Sequence, residues 1–188
     1  MKQYPHTQVL GLVCALALAS CASPPKPVKM QVSASLRPDS SLSGRVFQEV
    51  NSYRLSQGKT ELQRHAGLDR LAQDHSEYLR QHRGTFGLYG SNVSHIGFDG
   101  RVSIARERFE MENVSENVAW ANHPGEAIPP LLLNLWIKSK DHHHNMLDNW
   151  THSGMGIVVD SDGTVFATQI FSTEGNSQLS TRNRFNRF

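Results

Sequence analysis

Residues 129–147 read PPLLLNLWIKSKDHHHNML. The fold turns on whether this stretch is one helix, a broken helix or a metal-binding tract. A proline pair can open a helix, because the missing N–H would be unbonded there anyway, but it cannot sit inside one. A helix is therefore expected from Pro129, with a break near Asp141. Imidazole is the commonest protein metal ligand and the usual proton carrier near neutral pH. Adjacent histidines still do not make one site, since successive helical side chains point about 100° apart. At most one or two of His142, His143 and His144 can join a single constellation.

The flanks extend this reading. Downstream, GMGIVVDSDGTVFATQIFS (154–172) is two apolar runs joined at DSDG, a hairpin signal. The same turn lacks the ligand pattern of a calcium loop. Upstream, VSENVAW (114–120) is β-prone, residues 101–110 suit a short helix, and the Gly- and Ser-rich segment 83–100 reads as loop. Leu68, Leu71, Ala72, His75 and Leu79 share one helical face, with His75 expected inside and His82, two turns on, at the surface. Val46, Phe47, Val50 and Tyr53 mark an earlier helix that Gly58 stops. Trp120 and Trp136 are expected in the core, and Ser94 and Asn117 in backbone turns. Helices, then a strand, a helix and a hairpin predict an α+β fold with helices on a small sheet.

The N-terminus is of another kind. MKQYPHT carries one lysine, QVLGLVCALALA is an apolar run too short for a comfortable membrane span, and small residues follow. Leu18-Ala19-Ser20-Cys21 resembles the lipobox of bacterial lipoproteins. That resemblance implies lipidation of Cys21 as the first residue of the exported chain; the alternative is an ordinary signal peptide cut nearby. Cys14 would leave with the signal, so the exported domain would have no thiol for a disulfide, a nucleophile or a metal ligand. The expected order is a signal over 1–20, a Pro/Ser-rich tether over 21–43, one domain over 44–174, and a disordered basic tail over 175–188. The tail's three arginines could touch an anionic surface, but a solvated tail is the simpler reading. A length of 188 residues suits one domain, and a net charge of +2 with no reading motif argues against nucleic acid. There is no G-x-S-x-G elbow to support a Ser-His-Asp hydrolase.

Six landmarks in order resemble the CAP superfamily of cysteine-rich secretory, antigen 5 and pathogenesis-related proteins, in its bacterial SCP-like extracellular branch. They are Asn51-x-x-Arg54-x-x-x-Gly58; Leu68-x-x-Leu71-Ala72-x-x-His75-Ser76; Ser94-His95 with Gly100-Arg101; Glu116-Asn117-Val118-Ala119; Trp136-x-x-Ser139-x-x-His142-x-x-Asn145-Met146-Leu147; and Gly154-Met155-Gly156-Ile157 with Thr168-Gln169-Ile170-Phe171. The resemblance implies a three-layer α/β/α sandwich with a small, mostly antiparallel sheet. It also implies a cleft built from His95, Glu116 and His142. His142 is singled out from its neighbours because Met146, at i+4, would share its face and enter the core. Many eukaryotic members have a second glutamate where this chain has Ser139; Ser115 replaces a common glycine, and the family's disulfides are missing.

The resemblance further implies that His95 and His142 can hold a divalent metal such as Zn²⁺, and that some members bind sterols or other lipids on a separate surface. A binding or envelope-interaction protein is the expectation. A metal-dependent hydrolase of an envelope polymer or peptide, with Glu116 as general base, is the alternative. A third reading is an adhesin in which the cleft is a buried polar network, with Glu116 fixing the imidazoles and nothing more. Ala22, after the lipidated cysteine, is not the aspartate of inner-membrane retention, which implies the outer membrane in a cell with two.

Overall fold

The computed structural model describes residues 41–85, 94–122 and 127–175. The expected signal, nearly all of the tether, and the tail past Gly175 lie outside the described residues.

Helix α1 (Leu42–Ser56) opens on Ser41, whose hydroxyl accepts the Gly44 N–H at 3.0 Å. It closes ahead of Gly58, which takes φ +73°, a left-handed conformation glycine adopts without strain. Strand β1 (Gln63–Arg64) leads into α2 (Ala66–Gln81), and α3 (Phe98–Phe109) follows. Then come β2 (Met111–Asn122), α4 (Ile128–Lys138), α5 (Lys140–Leu147), β3 (His152–Val159) and β4 (Thr164–Glu174). The sheet order is β1-β3-β4-β2, antiparallel except for the short β1–β3 pair.

Alternation along the strands builds two cores. Ala119, Met155, Val165, Ala167 and Phe171 pack against Val46, Phe47 and Val50 of α1, Leu132 and Trp136 of α4, and Met146 of α5. On the other face Ile170 meets Leu68, Leu71 and Ala72 of α2, and Val118 and Phe166 meet Leu79. Helices thus cover both faces, and the expected three-layer α/β/α architecture is found. Gly154 and Gly156 let α2 lie directly on β3. A Cβ at either position would stand 2.1 or 2.2 Å from the α2 backbone, far inside any real contact.

Four details differ from expectation. The break in the 129–147 helix falls at Ser139, which is extended and starts α5 as its N-cap. Three of the residues expected as loop, 98–100, are already helical in α3. Strand β2 begins three residues early, through a bulge at Asn113 (φ +47°). Trp120 is 36% exposed rather than core, because it stands near the end of β2, an edge strand. Trp136 is fully buried as expected.

Candidate functional site

Glu116 sits in the middle of β2 on the face covered by α2, with its side chain only 1% exposed. A buried carboxylate must find compensating charge or hydrogen bonds, and this one finds both. Arg101, from α3, donates from Nε to Oε2 at 2.6 Å and from Nη2 to Oε1 at 2.8 Å. His95 Nδ1 lies 2.9 Å from Oε1. His75 Nε2, from α2, stands 3.9 Å from the same oxygen. Burial pushes the Glu116 pKa up, but the bonds from His95 and Arg101 and the Arg101 charge outweigh it. The carboxyl is held below its ordinary range.

The same groups pin the loop that carries His95, one residue at a time. His75 Nε2 donates to the Ser94 carbonyl at 2.8 Å, and Arg101 Nη1 donates to the Ile96 carbonyl at 3.0 Å. His95 lies between them, tied to Glu116 through Nδ1, and its side chain is 56% exposed. The arrangement fixes the ring and leaves Nε2 available. Ser94 Oγ closes the turn by accepting the Ile96 N–H at 3.1 Å.

His142 comes from the opposite layer, in the first turn of α5. Its backbone carbonyl accepts from Asn117 Nδ2 at 2.9 Å, and Asn145 Nδ2 donates to Asn117 Oδ1 at 3.0 Å. Trp150 Nε1 in turn donates to the Asn145 carbonyl at 2.6 Å. Asn117, fully buried, therefore ties β2 to α5 and is not part of a backbone turn. Burial, then the charge of His95, lowers the His142 pKa against the pull of Asp141. His142 thus feels the charge of His95 across the edge strand. His143 turns away to meet the Tyr53 hydroxyl at 2.8 Å, and His144 is exposed near Asp148.

His75 is interior as expected, yet it belongs to the floor of this cluster. Its pKa is lowered mainly by burial, against the pull of Glu116. Sequence reasoning gave neither His75 nor Arg101 a role here. The available signal was Glu116 itself: a carboxylate in the middle of an apolar strand needs a cation, and Arg101 was the one basic residue among the landmarks around the cleft.

The donor set can be compared with what a metal requires. An imidazole whose Nδ1 is held by a carboxylate presents Nε2 as a ligand, the usual arrangement behind a metal-bound histidine. His142 is also biased toward its neutral, ligating form. Among the described residues, no three His, Cys, Asp or Glu side chains converge to hold an ion. The described residues therefore do not form a closed tetrahedral site.

Among curated proteins none matches the sequence. Solved structures do match in fold. An outer surface protein from Borrelia burgdorferi superposes with a TM-score of 0.54 at 15% identity, over 69% of this chain and 90% of that one. A cysteine-rich secretory protein from Staphylococcus aureus gives 0.53 at 16%, over 75% and 41%. An extracellular protein containing a SCP domain from Bacillus anthracis gives 0.52 at 19%, over 81% and 45%. The chain thus spans less than half the length of the last two. The model of CAP, the cysteine-rich secretory protein family, matches residues 47–171, well over half of the 188, and the chain belongs to that family.

Proposed function

We propose that this is an exported, lipid-anchored protein of a bacterial cell envelope whose CAP domain binds its ligand through His95 and His142, a divalent metal such as Zn²⁺ being the first candidate. The observation that carries the reading is the 2.9 Å link from His95 Nδ1 to a carboxylate that Arg101 holds in place. It uses buried charge to orient one exposed imidazole. Export and the anchor rest on the N-terminal sequence, with Cys21 as the lipidated residue and the outer membrane as destination where there are two. The outer-surface and extracellular relatives of the same fold agree with export.

A bound metal would supply a Lewis acid and an acidified water. The residues themselves would hold the ion and exclude none of the open coordination positions. A hydrolase using Glu116 as general base has less behind it, because both carboxylate oxygens are engaged and a pKa held below the ordinary range makes the group a poor proton acceptor. Ligands of sterol or other lipid character, or an envelope polymer, remain for the binding reading if metal fails.

Zn²⁺ titration calorimetry of the full-length protein, beside His95→Ala and His142→Ala, tests the proposal. Saturable one-to-one binding lost in both variants is expected. No binding, or binding that survives both changes through His143 and His144, overturns the metal reading.

A further inference from the structure

Between α2 and α3 lies a second concavity, of about 400 Å³, within the ~300–1,000 Å³ usual for small-molecule sites. We infer that it binds a small aliphatic molecule with a cationic head. The inference does not depend on metal binding at the histidines.

The walls are apolar and come from three elements: Leu71 and Tyr78 of α2, Ile96 of the His95 loop, and Ile104 of α3. Ile96 is 54% exposed and Ile104 37% exposed, so two branched side chains from separate segments face water across one hollow. The helix on the outer side does not fill it. Of the twelve residues of α3, Ala105 alone is buried. The Tyr78 ring is stacked on His82 at 4.1 Å between centroids, which stiffens that wall. Removing such apolar surface from water is the driving force available to a ligand.

The polar groups select the head. Arg101 reaches the cavity, but its charge is matched by buried Glu116. His75, also on the lining, is biased toward its neutral form. Asp74 remains: it lies on the cavity, is exposed, and has no ion-pair partner among the described residues. The local balance is therefore one uncompensated negative charge beside an aliphatic hollow. A cation is attracted there and a carboxylate is repelled.

Two-dimensional amide NMR titration of the full-length protein with octylammonium, octan-1-ol and octanoate tests this. Saturable shifts at Ile96, Gly97 and Ile104 are expected, with octylammonium binding tightest and octanoate weakest. Ile96→Ser and Ile104→Ser, both at exposed positions that tolerate change, should each weaken octylammonium about tenfold. Asp74→Asn should abolish its advantage over octan-1-ol. Absence of saturable shifts, equal binding of the three probes, or binding unaffected by Ile104→Ser overturns the inference.

Discussion

Among the described residues, two side chains that carry a full charge at neutral pH are buried, Arg54 and Glu116, and they are satisfied in opposite ways. Arg54, on α1, spends its guanidinium on backbone carbonyls. Nε donates to Thr60 at 3.0 Å, and Nη1 donates to Met146 and, at 3.0 Å, to Asp148, at the C-terminal end of α5. Asn51, one turn earlier, exchanges two hydrogen bonds with the Leu62 backbone. None of these partners can titrate or leave. Glu116, in the other layer, is held by side chains, one of which is a half-exposed imidazole. A buried charge closed by backbone is a clamp. One closed by ionisable side chains that reach solvent is the makings of a site.

The comparison is broken most severely through the clamp. Arg54→Met should cost about 3–5 kcal/mol, because it strands the carbonyls that end α5 inside the protein. Urea denaturation should show the same deficit from neutral pH down through the carboxylate range. A loss under about 1 kcal/mol would mean that water replaces the guanidinium and that no clamp exists.

Glu116→Gln should cost somewhat less, about 2–4 kcal/mol at neutral pH, by leaving Arg101 without its partner. Its pH dependence separates the two regions. A carboxyl whose folded pKa lies below its ordinary 4.5 contributes stability that is complete above that value and lost as pH falls through the folded pKa. The deficit of Glu116→Gln relative to the unsubstituted protein should therefore shrink in acid, while that of Arg54→Met persists. Equal pH profiles for the two variants would erase the distinction.

The smallest effect belongs to Ser139. Its hydroxyl accepts the His142 N–H at 3.5 Å, a long cap, so Ser139→Ala should cost only about 0.5 kcal/mol, the low end for such a loss. Thermal unfolding beside a Zn²⁺ titration would read both stability and the seating of His142. A cost well above 1 kcal/mol would make the serine a structural keystone and not a simple helix start.

Much of the fold was legible because its elements are long and periodic. The faces of α1 and α2 and the DSDG hairpin all stand where pattern and turn chemistry put them. Strand β1 has two residues and carries no pattern at all. The break was expected two residues late: Ser139 is a residue type that caps helix starts, but serine also occurs inside helices, so its identity alone does not place the break. Trp120 follows the alternation of β2, but composition does not reveal that its strand is an edge. At the cleft, the resemblance to the CAP superfamily named His95, Glu116 and His142, and helical geometry agreed on His142 among its neighbours. The partners of Glu116 are set by tertiary approach: Arg101 lies 15 residues away in sequence and on another element. No local pattern encodes that meeting, although the cost of burying a lone carboxylate requires some cation to be there.

In this reading Glu116 orients His95 instead of acting as a base or a ligand. Imidazole ¹⁵N NMR of the full-length protein at about pH 8, above the ordinary histidine range, measures this most directly. Neutral His95 is expected to carry its proton on Nδ1 and to lose that preference in Glu116→Gln. A proton on Nε2, or a tautomer indifferent to the substitution, would contradict it.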